Sequence, residues 1–229
     1  MKIGYSGLDL TEGKIKYKDT RLEVLSKNYN PKKTTPFYAE FIKNEYVQAD
    51  TIVLERSCLL DLLIIDIGKC ETRLSNTSDS SEIELMNKSI KYLEEELPLC
   101  DAVLTDDERD RLRALSIISV KPVVILDDIP DVNDIIKSAL DKAQVVFFYT
   151  VGKDEVRAWP VEKSSDIVSC AGKIHTDLAR GFIRADVVPF EDMVTCHSMN
   201  DAKKRGLAKV VNRDYIIKDS DIIEIRYNI

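Results

Sequence analysis

The stretch VVFFYTVGKDEVRAWPV (Val145–Val161) is two strand-like apolar runs about a glycine-containing turn. Its length and composition make it a hairpin. Ser164 or Ser165 then caps a helix whose Ile167, Val168, Ala171 and Ile174 form one apolar face. Strands return at Phe182–Val188 and, after DYIIKDSD, at Ile222–Tyr227. A hairpin, one helix and returning strands describe a β-grasp. The change of rhythm at Gln144 divides the chain into residues 1–144 and residues 145–229.

Upstream of that boundary strands and helices alternate, which makes the first part α/β. Ile3–Ser6 and Lys14–Lys18 have strand patterns, and TRLEVLSKNY spaces Leu22 and Leu25 for a short helix that PKKTTP ends. Phe37–Ile42 is the next strand. Apolar runs fill Thr51–Ile67, and LLDLLIIDI (Leu59–Ile67) is expected as a buried strand. It is too short for a membrane span and carries Asp61 and Asp66. Asn76–Glu82 is a polar loop. From Ser81 a helix presents Ile83, Met86, Ile90, Leu93 and Leu97 until Pro98. Two heptads are short for a free coiled coil, so this stripe packs within its own domain. Thr105, followed by Asp106, Asp107 and Glu108, is a helix start with a hydroxyl cap and acids at the positive helix end. Lys121–Asp128 is a buried strand with a carboxylate-rich exit, and Ile135, Ile136, Ala139 and Leu140 form the inner face of the next helix.

A net charge of −7 over 229 residues argues against diffuse attraction of the whole chain to nucleic acid or membrane, while leaving room for a local basic face. The five cysteines include no C-x-x-C pair, so neither a disulfide framework nor a zinc site is expected. Reduced thiols, a cytoplasmic setting and no cofactor are the corresponding expectations.

FFYTVGKDEVRAWPV, AGKIHTDLARGFIRADVV and DYIIKDSDIIEIRYNI together resemble the C-terminal TGS domain of the YchF, or Obg-like ATPase, family over Val145–Ile229. The resemblance implies a ubiquitin-like β-grasp associated in its relatives with RNA and ribosome binding. DTRLEVLSKNYNPKKTTPFYAEF (Asp19–Phe41) resembles that family's D-x-R-L-x-x-L segment and the strand after it. Leu104–Leu126 resembles the stretch before its base-recognition motif.

These anchors bear on GLDLTEGK near the start. A Walker A loop needs Gly, four residues, then Gly-Lys and Ser or Thr. Here five residues separate Gly7 from Gly13, and Ile15 follows Lys14. In the family the phosphate loop and its helix lie between the opening strand and D-x-R-L, and only a handful of residues occupy that interval here. The resemblance therefore implies a truncated P-loop-GTPase-like sheet. Where the family reads E-F-V-D-x-x-G, this chain has Glu40-Phe41-Ile42-Lys43 and then Tyr46. Where its N-x-x-E reads the base, Asp128 and Asp131 stand, and an ionised Asp only accepts hydrogen bonds. The expectation is a non-enzyme, a pseudo-GTPase, with Lys14, Asp128 and Asp131 as residual nucleotide-site positions.

The leading expectation of function is a binding module for RNA, the ribosome or a protein partner. Its candidate contacts are Lys153, Arg157, Lys173, His175, Arg180, Arg184, Lys203, Lys204, Arg205, Lys209 and Arg213. Lys203–Arg213 is the densest basic stretch, with a solvated loop as the plain alternative. The rival is an ATP- or GTP-binding protein or hydrolase with a rearranged site, in which Asp127 joins the residues above. A small-ligand sensor follows only by analogy. His175 suits a helix cap, Trp159 a core strand, and the adjacent Cys196 and His197 rarely face each other as a dyad.

Overall fold

The structure, a computed structural model, describes residues 1–228. In chain order its elements begin β1 (Lys2–Ser6), β2 (Gly13–Lys16), α1 (Thr20–Tyr29), β3 (Lys33–Thr35), β4 (Tyr38–Lys43), β5 (Thr51–Glu55) and α2 (Leu59–Asn76). Next come α3 (Ser80–Glu94), α4 (Asp106–Ala114), β6 (Val123–Leu126), α5 (Val132–Lys142), β7 (Val145–Val151) and β8 (Glu155–Glu162). The last are α6 (Ile167–Ile174), α7 (Thr176–Arg180), β9 (Phe182–Val188), α8 (Phe190–Met193), α9 (Met199–Lys204), β10 (Lys209–Val211) and β11 (Ile222–Tyr227). They form two compact units: Met1–Ile15 with Ala39–Ala143, and Lys16–Tyr38 with Gln144–Ile229. The segment Lys16–Tyr38, which the sequence places with the first domain, thus packs within the second unit.

The first unit is built on a sheet of order β2-β4-β1-β5-β6. β1 runs parallel to β4 and β5, and β5 parallel to β6, with Ile3 opposite Phe41 and Thr51, and Ile52 opposite Val123. Ile52 and Leu54 pack against Leu59, Leu62 and Leu63 of α2, with Met86 and Leu93 of α3 in the same core. Thr105 Oγ1 accepts from the Glu108 N–H while the Glu108 carboxylate accepts from the Thr105 N–H, a reciprocal capping box that starts α4 where the sequence predicts.

Leu59–Ile67 is helical rather than a strand. Its buried residues, Leu59, Leu62, Leu63, Asp66 and Cys70, recur at spacings of three and four. Leu60, Ile64 and Ile65 fill the exposed positions between them, so the segment is apolar all round and its period is hidden. A strand would put residues 60 and 62 on one face, whereas the helix separates them. Leu62→Ala should therefore cost about 2–5 kcal/mol in urea unfolding, and Leu60→Ala within about 0.5 kcal/mol of zero. Equal costs at the two positions would contradict the helix. Of the expected loop Asn76–Glu82 only a short turn remains, because Asp79 Oδ1 accepts from the Ser81 N–H and starts α3 at Ser80.

The second unit has the sheet order β10-β9-β11-β7-β8-β3. β7 and β8 form the expected antiparallel hairpin, β11 lies parallel to β7, β9 and β10 follow antiparallel, and β3 joins β8 in parallel. One face of this sheet packs Phe148, Trp159 and Val161 against Ile167, Cys170 and Ala171 of α6. On β7, Phe147 stacks on Tyr17 and meets Phe37 edge-on, and the Tyr149 hydroxyl donates to Asp19 Oδ2 at 2.5 Å. These contacts tie the Lys16–Tyr38 segment to the sheet. The cap of α6 is Asp166, not Ser164 or Ser165, through a 2.7 Å bond from the Ser169 N–H.

Candidate functional site

An open parallel sheet takes ligands at the carboxyl ends of its strands. In the first unit that edge is made by the exits of β4, β1, β5 and β6. Gly7 leaves β1 with φ +76°, and a Cβ there would lie 2.6 Å from the Glu55 Cβ, so both conformation and space require glycine. The loop after it is tied down within the unit: the Tyr5 hydroxyl donates to the Leu10 carbonyl at 2.7 Å, and Glu12 Oε1 accepts from the Lys43 N–H at 2.7 Å. The chain then enters β2. The described chain between β1 and β2 holds no helix, so no helix N-terminus follows β1 at this edge.

Arg56, just beyond β5, pairs through its Nε and Nη2 with the Asp127 carboxylate after β6, and this holds the Asp127 carboxyl below its ordinary range. Asp131 caps α5, its Oδ1 accepting from the Asn133 and Asp134 N–H groups at 2.7 and 3.1 Å. Asp128 and Lys14 are exposed, Lys14 on β2. The three residual nucleotide-site positions therefore serve as one helix cap and two surface charges.

The basic candidates of the second unit divide by what holds them. Lys203 bonds Asp186 Oδ2 at 3.0 Å and also Glu224. Arg205 donates to the Thr195 carbonyl at 2.7 Å and to Cys196 Sγ at 3.2 Å, and Arg213 donates to the Phe182 carbonyl at 2.8 Å. These three fasten elements of the fold, and the stretch for which a solvated loop is the alternative reading contains the end of α9 and all of β10. Arg157 lies 3.7 Å from the centroid of the Trp159 ring, and Lys209 lies 5.9 Å from that of Tyr215. Arg180 reaches Asp177 at 3.7 Å. Lys153, Lys173, Arg184 and Lys204 are exposed and have no ion pair among the described residues.

His175 Nδ1 accepts from the Asp177 N–H at 3.2 Å, making it the cap of α7. Trp159 is buried, stacks on Phe148 and donates to Thr150 Oγ1 at 3.0 Å. Cys196 is buried, with its thiol on the Asp192 carbonyl, whereas His197 is exposed. Burial pushes the Cys70 and Cys170 thiols up to about 12, a range in which thiolate chemistry is suppressed. Among the described residues no group of His, Cys, Asp and Glu is arranged to hold a metal ion, and no helix is long and apolar enough to cross a membrane.

Charge is divided unequally between the units. The second carries nineteen Lys and Arg against fifteen Asp and Glu, the first fourteen against twenty-five. Within the second, Gln144–Ile229 is balanced at thirteen of each, so the surplus comes entirely from Lys16–Tyr38, with six cations and two acids. No residue of that segment is among the sequence-derived candidates. The signal that finds them is the packing of Lys16–Tyr38 on a sheet more than a hundred residues downstream.

Residues 145–228 match the family profile YchF-GTPase_C, described as a protein of unknown function (DUF933). That C-terminal stretch is similar to the YchF family. Similar proteins include the Danio rerio protein named Obg-like ATPase 1, 46% identical over 94 residues, which are 41% of this chain and 24% of that protein. The chain thus spans about a quarter of that relative's length. The Bacillus subtilis protein named Ribosome-binding ATPase YchF is 21% identical over 330 aligned residues, covering 97% of this chain and 90% of the relative. The solved structure of the Schizosaccharomyces pombe YchF GTPase superposes with a TM-score of 0.82 at 15% identity, over 99% of this chain and 97% of that one, which establishes a shared mixed α/β fold. The names ATPase and GTPase across these relatives point to an enzyme and correct the expectation of a non-enzyme.

Proposed function

We propose that this chain is a ribosome-associated protein of the YchF type whose second unit, a TGS-type β-grasp spanning 145–229 and braced by Lys16–Tyr38, makes the ribosomal contact. The observation that carries this is the surplus of positive charge on that unit beside a strongly acidic first unit. An acidic body repels phosphate, so approach to a polyanion is oriented with the basic unit leading. Relatives named as ribosome-binding support the choice of polyanion and a cytoplasmic setting.

The second part of the proposal concerns nucleotide. The first unit is read as a shortened GTPase-type domain, supported by the helix-free link from β1 to β2 and by an alignment to the Bacillus subtilis relative that is much longer than this chain. A nucleotide would then be taken at the carboxyl edge of β1, β5 and β6 without a phosphate loop, with Arg56, paired to Asp127, as a cation following β5. Calorimetry with ATP and GTP in the presence of Mg²⁺ tests this part: saturable heat supports it, and no heat removes it while leaving the ribosomal reading in place.

Pelleting the full chain with purified bacterial 70S and yeast 80S ribosomes tests the main reading. Stoichiometric pelleting at 50 mM KCl that falls at least tenfold in affinity by 200 mM is the expected result for a contact through several phosphates. No pelleting with either ribosome would overturn it.

A further inference from the structure

We propose that the second unit grips the phosphate backbone of RNA on its α1–β3 face, with Lys16 and Lys27 as direct phosphate contacts. This deepens the ribosomal reading above and rests on it for the class of polyanion.

A groove of about 350 Å³ lies on this face, lined by Lys16, Leu22, Glu23, Ser26, Lys27 and Thr34 among others. Its volume falls within the range of ligand clefts. The cations of Lys16–Tyr38 are not equally available to a ligand. Arg21 is committed within the unit, its Nη1 donating to Asp219 at 2.6 Å and to Ser220 Oγ at 2.5 Å while its Nε reaches Asp19. Lys32 pairs with Asp154 at 2.7 Å and Lys33 with Glu155 at 3.4 Å, both on exposed lysines. Such surface pairs are worth about 0–1 kcal/mol, so a phosphate can take these lysines over. Lys16 and Lys27 are exposed, have no ion pair among the described residues, and line the same groove.

The opposing charge is small. Of the two carboxylates lining the groove, Asp19 is buried and already accepts from Tyr149 and Arg21, which leaves Glu23. Ser26 Oγ and Thr34 Oγ1 lie 2.6 Å apart, so one hydroxyl proton satisfies the pair and the other is available to a phosphate oxygen. Lys27 also sits in the last turn of α1, where a cation complements the helix end, but that accounts for neither Lys16 nor the groove between them. Lysines act as point charges on phosphate and read no sequence, so the contact fixes affinity and position rather than base identity.

The test is fluorescence anisotropy of the full chain with a labelled 20-nucleotide single-stranded oligouridylate and a labelled 16-base-pair RNA duplex, each from 50 to 200 mM KCl. Lys16→Ala with Lys27→Ala should weaken binding about tenfold at low salt. It should also flatten the slope of log affinity against log salt by about 1.4 on the single strand or about 1.8 on the duplex. The pair Lys16→Arg with Lys27→Arg should restore both, and the stronger of the two probes identifies the RNA form. The double alanine variant binding RNA with unchanged affinity and slope would overturn the proposal. So would a wild-type chain that pellets with ribosomes yet binds neither RNA, which assigns the contact to ribosomal protein. Failure to pellet with ribosomes while both RNAs are bound in a Lys16- and Lys27-dependent way removes the ribosomal reading and keeps this one.

Discussion

Replacing Asp66 by alanine will cost the first unit about 2–5 kcal/mol, measured as a shift in urea unfolding. Asp66 sits on α2, fully buried, and its two oxygens accept separately from the Ile118 N–H at 2.8 Å and the Ser119 N–H at 2.6 Å. Lys69, one helical turn on, lies 3.9 Å away. The carboxylate thus pins the turn after α4 to α2. Without it two buried N–H groups lose their acceptors, and each unsatisfied group costs about 1–3 kcal/mol. Asp66→Asn keeps one acceptor oxygen but turns an N–H₂ toward the other backbone donor, so it should fall between wild type and alanine. A change below about 0.5 kcal/mol for Asp66→Ala would show that the turn is held by other contacts.

Asp186→Ala should also destabilise the second unit, and its effect carries a pH signature. Asp186 on β9 is 1% exposed and takes a bidentate pair of bonds from Arg226, at 2.7 and 2.5 Å, with Lys203 at 3.0 Å. Removing it takes the acceptor from the half-exposed Arg226 and leaves Lys203 with Glu224 alone, a loss of about 1.5–3 kcal/mol for charge-assisted bonds. Burial alone raises the carboxyl's pKa, but the bonds from Arg226 and Lys203 outweigh it and hold the value below the ordinary aspartate range. A lowered folded pKa gives stability that is present above the unfolded value of about 3.9 and disappears as pH falls through the folded value. The wild type should therefore lose stability below about pH 4 more steeply than Asp186→Asn, which has no proton to take up there. Parallel acid limbs for the two proteins would contradict the arrangement.

Local signals made much of the fold legible. The period of Leu22 and Leu25, the Thr105–Glu108 box, the apolar face around Ile135 and Ile136, and the hairpin about Gly152 each depend on neighbours within a few residues, and each element forms where expected. α2 was hidden because Leu60, Ile64 and Ile65 occupy its outer face and erase the contrast on which periodicity rests. The assignment of Lys16–Tyr38 to the second unit was out of reach for a different reason: it depends on Phe147 and Tyr149 meeting Tyr17 and Asp19 across more than a hundred residues.

The same long-range dependence governs the candidate site. Basic residues are visible in a sequence, but their partners are not. Lys203 reads as a free charge until Asp186 and Glu224 are found beside it, and Arg213 until its contact with the Phe182 carbonyl is seen. Conversely, Lys16 looks like one outward residue of an alternating strand, and only the fold shows that it shares a groove with Lys27.

Hydrogen exchange of the full chain, alone and bound to ribosomes, addresses the ribosomal contact directly. Slowed exchange concentrated in residues 16–38 and in the exposed parts of 145–228, with the acidic first unit unchanged, is the result expected here. Protection confined to the first unit, with the second exchanging as in the free protein, would contradict it.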